Sequence, residues 1–131
     1  MDTDFQAVSN SECRERLQQA KRVLEGLSEE QRVHNFDINI VAHHSAHGIV
    51  ACIAGHCGLD PWFQERGLIT RVGDPRQMGD VSIRPEDFFG TSRPFFSSHY
   101  GTDERVTVDH ALRALDQAIA RLPRDPSEVP A

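Results

Sequence analysis

The longest uncharged, apolar-rich stretch of the chain covers residues 47–58. It has no polar stripe through its middle, which is typical of a helix that is covered on every side. Ala51 and Gly55 are four residues apart, so they would lie on one face of such a helix and allow a neighbouring segment to come close. The pattern therefore predicts a buried central helix over 49–57, ended by Gly58 in a left-handed conformation.

Two further segments place apolar residues at helical spacing. The first, 9–27, begins with the capping-box pattern Ser9 to Glu12. The second, 108–122, follows Thr107, a residue type that favours helix starts. The apolar positions are Cys13, Leu17, Ala20, Leu24 and Leu27 in the first segment, and Ala111, Leu112, Leu115, Ala118, Ile119 and Leu122 in the second. We expect both amphipathic helices to flank the central helix.

Shorter patterns predict the remaining elements. Two β-capable runs, 68–72 and 81–83, surround a turn-rich segment and predict a small hairpin. Residues 36–40 alternate apolar and polar positions, which fits either a short strand or an extended lead-in that anchors Phe36, Ile38 and Ile40 in the core. The histidine-rich segment 42–48 is interpreted as a loop or ragged helix start. Short helices are expected over 29–34, 61–66 and 85–90, from capping and proline signals.

Together these elements predict an α+β fold that is mostly helical. In it, a central buried helix is flanked by two amphipathic helices, with a small β-hairpin beside them. A length of 131 residues is that of one ordinary domain. We therefore expect one globular domain over 1–131, with loose tails at 1–8 and 123–131.

Composition and charge narrow the classes of function. The formal net charge is −6, from 14 basic and 20 acidic residues. An acidic excess disfavours unspecific binding to nucleic acid, which depends on neutralising phosphates. The three cysteines are an odd number and no secretory leader precedes them, so we expect reduced thiols and a cytoplasmic protein. No membrane anchor is expected either.

The histidines and cysteines around the central helix suggest a metal site as one hypothesis. Cys52 and His56 are four residues apart, and His47 precedes them closely. Thiolate and imidazole ligands suit zinc, and three protein ligands with one open position would suit hydrolysis. The alternative is structural: Cys52 as a small buried thiol and His56 as a group that meets the carbonyls at the helix end. Zinc is the only cofactor that the sequence suggests, and the sequence favours a protein without any cofactor.

A binding surface is the other hypothesis. Trp62, Phe63, Arg66 and Tyr100 are of types common at protein interfaces. Their alternative role is to pack a short helix and its neighbours onto the core. No nucleophile-elbow, phosphate-loop or dinucleotide motif occurs in the sequence. The sequence therefore favours a small intracellular accessory or interaction protein without catalytic residues, whose partner is another protein or a second copy of the chain. The alternative is a zinc-binding, hydrolytic protein.

The central run resembles a motif of short bacterial and phage-encoded proteins of unassigned function. Their core reads Cys-Gly-Thr-Val-Ala-Cys-Ile-Ala-Gly-His-Ala, and the matching segment here is 48–56, with His47 in place of cysteine and Ile49 in place of threonine. An aromatic-Asp-apolar element at 36–38 and a Phe-Phe-Gly turn at 88–90 also match. The resemblance implies the architecture described above and no activity.

Overall fold

The computed structural model of the chain describes residues 9–74, 78–101 and 105–122. In these ranges the protein is a mostly helical α+β structure with two small antiparallel sheets. Its elements are α1 (Asn10–Glu25), α2 (Glu29–His34), β1 (Ala42–Ser45), β2 (Gly48–Ala51), α3 (Ile53–Cys57), α4 (Pro61–Gln64), β3 (Thr70–Arg71), β4 (Asp80–Val81), α5 (Pro85–Phe89), two 3-10 turns (Arg93–Phe95 and Ser97–His99) and α6 (Val108–Arg121). The tails expected at 1–8 and 123–131 lie outside the described residues.

The two amphipathic helices form as the sequence predicts. The Ser9 hydroxyl accepts a hydrogen bond from the Glu12 amide and so caps α1, while Thr107 and His110 form a reciprocal capping box at the start of α6. The apolar stripe of α1 is buried, and this helix packs against both α6 and α3. Helix α1 therefore provides the surface on which the other two helices assemble.

The central helix is shorter than predicted, and this part of the prediction is wrong. Residues 48–51 form β2, which pairs antiparallel with β1. Neither a loop nor a ragged helix start is therefore found at 42–45. Ala46 and His47 form the turn between the strands, and β2 begins at Gly48, whose positive φ of 98° suits glycine. The β-branched Ile49 and Val50 suit an extended backbone. Pairing with the preceding strand β1, across a two-residue turn, overrides the helical pattern here.

Helix α3 retains the rest of the predicted central helix. Cys52 is its N-cap residue, and four of its five residues, 53–57, are buried. The predicted left-handed stop is wrong: Gly58 ends the helix in the right-handed region (φ −68°). Its lack of a side chain serves packing instead, because a Cβ at Gly58 would overlap Thr70. Thr70, at the start of β3, therefore lies directly against the end of α3.

The predicted hairpin is confirmed by the structure. It is present as the short pair β3–β4, in which Thr70 lies opposite Val81. The expectation that Phe36 and Ile38 reach the core is also confirmed, but residues 36–40 are neither a strand nor an extended lead-in. Phe36 forms one parallel bridge with Ala51, and the chain then turns, with the Ile40 amide donating to the Asp37 carbonyl oxygen, so Ile40 is only partly buried. Phe63, Phe88 and Phe89 form a core cluster, in which Phe63 makes tilted contacts with the other two rings and Phe88 meets Phe89 edge-to-face. This cluster fills the space beside α4 and α5.

The close approach at Gly55 gives a test of this packing. A Cβ at Gly55 would overlap the Val41 carbonyl oxygen and lie 2.9 Å from the Ala51 Cβ. We expect Gly55→Ala to lower the free energy of unfolding by about 1–3 kcal/mol, because the backbone must move to admit the methyl group. Denaturant unfolding measures this loss.

The matched control is Gly26→Ala. At Gly26 the nearest atom to an added Cβ is the Arg22 carbonyl oxygen at 3.4 Å, and the backbone is right-handed. This control should change stability by less than about 0.5 kcal/mol. Equal stabilities for Gly55→Ala and the parent would contradict the close contact.

Candidate functional site

Asn35 connects the β-hairpin to the helices on either side of it. Its side-chain amide donates to the carbonyl oxygens of His47 (2.8 Å) and Ile49 (2.9 Å). Its own carbonyl oxygen accepts from the Ala51 amide (3.1 Å) and lies 2.7 Å from His56 Nε2. These bonds position both candidate histidines against the end of α2.

The bond to Asn35 also determines the state of the His56 ring. A carbonyl oxygen can only accept, so Nε2 carries the proton and Nδ1 holds a free lone pair when the ring is neutral. Burial lowers the pKa of His56, and the hydrogen bond to Asn35 opposes this only in part. His56 is therefore a neutral, oriented imidazole at neutral pH.

His56 and His47 line a common cavity of about 450 Å³. Its apolar wall comes from Leu27, Ile49 and Leu59, and its polar groups include Glu30 as well as the two histidines. We call this space the histidine cavity. The His47 ring also stacks on the ring of His34, with 4.3 Å between ring centres, which holds His47 at the end of α2.

Cys52 lies in a different environment. It lines a cavity of about 320 Å³ whose walls are mostly apolar and include Ile38 and Phe95, whereas His47 and His56 do not line that space. Its sulfur accepts a hydrogen bond from the Gly55 amide at 3.4 Å. Burial raises the pKa of the Cys52 thiol more than this bond lowers it. Cys52 is therefore a protonated thiol that caps α3.

The three residues proposed as zinc ligands are thus divided between two cavities. His47 and His56 share the histidine cavity, and Cys52 lines the apolar one. Across residues 9–74, 78–101 and 105–122, no group of three or more His, Cys, Asp or Glu side chains is arranged to hold a metal ion. His43 and His44, the other histidines near these residues in the sequence, lie in β1 and do not line either cavity. The geometry favours the structural role of Cys52.

The residues proposed for partner binding differ in exposure. Phe63 is fully buried, so it belongs to the core and offers no surface to a partner. Trp62 is half-buried, and its ring packs edge-to-face with the Phe63 ring, with 4.9 Å between ring centres. The Arg66 guanidinium lies 3.6 Å from the centre of the Trp62 ring. Tyr100 is half-buried and donates to the Pro94 carbonyl oxygen. Trp62 and Arg66 are therefore the members of the set that the structure brings together at the surface.

Two residues with positioning roles were not predicted from the sequence. Asn35 is one, and Arg105 is the other: its guanidinium donates to the carbonyl oxygens of Val33 (2.8 Å) and Phe36 (2.7 Å). Both bind backbone carbonyls far away in sequence, and no local pattern marks such a bond. The only available signal was the position of Asn35 at the end of a predicted helix.

No protein-family model, no curated protein and no solved structure matches the chain. The resemblance to short bacterial and phage-encoded proteins therefore stays a prediction. None of the helices in the described ranges has the length and apolar character that crossing a membrane requires.

The state of His56 predicts how stability depends on pH. Its pKa is lowered in the folded protein, so below about pH 6.5 the unfolded chain binds a proton more readily than the folded one. We expect the free energy of unfolding to fall as pH drops below this value, until the folded-state pKa is passed. Thermal or denaturant unfolding between pH 8 and pH 5 measures the effect.

The variant His56→Gln makes this prediction specific. Glutamine can still donate to the Asn35 carbonyl but does not titrate, so the acid-induced loss should become smaller. His44→Gln removes an exposed ring from β1 and serves as the control. An unchanged pH profile in His56→Gln would contradict the assignment.

The division of the candidate ligands predicts the outcome of metal analysis. We expect protein purified without tag or chelator to hold less than stoichiometric zinc, both in the parent and in Cys52→Ser. That substitution should change stability by less than about 1 kcal/mol, because the serine hydroxyl can accept from the Gly55 amide in place of the thiol. One zinc per chain in the parent, lost in Cys52→Ser, would identify a metalloprotein and overturn this interpretation.

Proposed function

We propose that this chain is a small cytoplasmic accessory protein that acts by binding another protein through Trp62 and Arg66. We call these two residues the Trp62–Arg66 surface. The observation that supports it is the fixed geometry of the pair. The Arg66 guanidinium lies 3.6 Å above the Trp62 ring and donates a 2.8 Å hydrogen bond to the Trp62 carbonyl oxygen.

This geometry favours binding because both side chains are ordered before a partner arrives. Tryptophan and arginine are among the residues that contribute most to binding energy at protein interfaces. Ordering a flexible side chain on binding costs about 0.5–1.5 kcal/mol, and the contacts of Trp62 with Phe63 and Arg66 reduce this cost. The surface is therefore a preformed anchor.

The exposed charge of Arg66 favours an acidic partner surface. About a third of its side chain is exposed, 35%, and it forms an ion pair with the Glu65 carboxylate at 3.8 Å. Such an exposed pair is weak, since it contributes about 0–1 kcal/mol. The guanidinium can therefore pair with a partner's carboxylate while the rings of Trp62 and the partner pack together.

The cysteines support a reducing compartment. Cys13, Cys52 and Cys57 are all buried, and no disulfide joins any of them in the described part of the chain. Burial raises the pKa of both Cys52 and Cys57, so these two are protonated thiols rather than reactive thiolates. This state is the one expected of structural cysteines in a cytoplasmic protein.

Trp62→Ala and Arg66→Ala test the proposed function, with Arg113→Ala on an exposed position of α6 as the control. In quantitative capture from the source cells, we expect a bound protein to be lost in both surface variants and retained in the control. Trp62 is the only tryptophan in the chain, so its fluorescence should change when the purified partner is added. Sedimentation shows whether the partner is a second copy.

Identical bound proteins for all variants, at unchanged melting temperatures, would contradict the Trp62–Arg66 surface. A partner whose addition leaves the Trp62 fluorescence unchanged would do the same. Melting temperatures of the variants show whether a loss of binding is a loss of folding.

A further inference from the structure

The histidine cavity offers hydrogen-bond acceptors that the described residues leave unused. His56 Nε2 is bound to Asn35, and no described residue donates to its Nδ1. Glu30 lines the same space, and none of the ion pairs among the described residues involves its carboxylate. The cavity therefore presents a neutral acceptor and an anionic one.

The side-chain amide of Asn35 is already engaged. Both bonds from its nitrogen go to carbonyl oxygens of the hairpin, at His47 and Ile49. The Asn35 backbone carbonyl oxygen holds His56 in turn. A ligand that binds His56 Nδ1 must therefore supply the donor for that bond itself, and it meets an acceptor whose orientation is fixed in advance.

We propose that the histidine cavity binds a small organic cation, a primary ammonium group attached to an apolar body. The ammonium carries three donors and no acceptor, which suits His56 Nδ1 together with the Glu30 carboxylate. The apolar body would pack on Leu27, Ile49 and Leu59. A volume of about 450 Å³ lies in the range of small-molecule sites.

Charge explains why a cation suits this cavity better than an anion. A carboxylate ligand would face the Glu30 carboxylate and the lone pair of His56, and both repel it. A neutral alcohol can donate only one hydrogen bond and gains nothing from the charge of Glu30. Because burial keeps His56 neutral, its ring does not repel the incoming ammonium.

The site is separate from the Trp62–Arg66 surface, so its test is independent of the proposed function. The probes are 2-phenylethylamine, 2-phenylethanol and phenylacetate, which share one apolar body and differ in the polar end. We expect the amine to shift the methyl signals of Ile49, Leu27 and Leu59 and the ring signals of His56 in NMR spectra of the full chain, with a Kd of about 1 mM. The other two probes should bind at least about tenfold more weakly.

Glu30→Gln should reduce the preference for the amine over the alcohol. The matched control is Glu29→Gln, an exposed neighbour on the same helix that does not line the cavity, and it should leave the preference unchanged. Both glutamates are exposed, so neither variant should unfold the protein. Three outcomes would each overturn the proposal: equal binding of all three probes, an absence of shifts at the cavity, or an equal effect of the two variants.

Discussion

The set of hydrogen bonds at Asn35 is the constraint on which the centre of the structure depends. One side-chain amide satisfies two carbonyl groups of the hairpin, and the adjacent backbone carbonyl holds Ala51 and His56. The end of α2, the β1–β2 hairpin and α3 are therefore joined through a single residue.

This connection decides which candidate groups meet. It places His47 and His56 on one cavity, whereas Cys52 turns to another space and caps α3 through the Gly55 amide. The absence of a side chain at Gly55 lets α3 approach the Val41 carbonyl. Asn35 and Gly55 thus act together: one fixes the hairpin against α2, and the other fixes it against α3.

The two proposed binding features use different physical means. At the Trp62–Arg66 surface, a cation stacked on an indole ring stays partly exposed and ordered by its neighbours. In the histidine cavity, a neutral imidazole and a carboxylate lie beside apolar side chains. Phe63 belongs to neither feature, because it is fully buried and supports Trp62 from the core side.

The sequence by itself determined the two amphipathic helices, their caps, the β3–β4 hairpin and the mostly helical α+β class, because these depend on side-chain periodicity and on capping between near neighbours. Tertiary structure decided that 48–51 is a strand, since the partners that Ala51 has outside the hairpin, Asn35 and Phe36, are not encoded in the local pattern. For the same reason the candidate site could be predicted only in part. His47 and His56 were candidates from the sequence, but their common cavity depends on Asn35, which is 12 residues from His47 and 21 residues from His56.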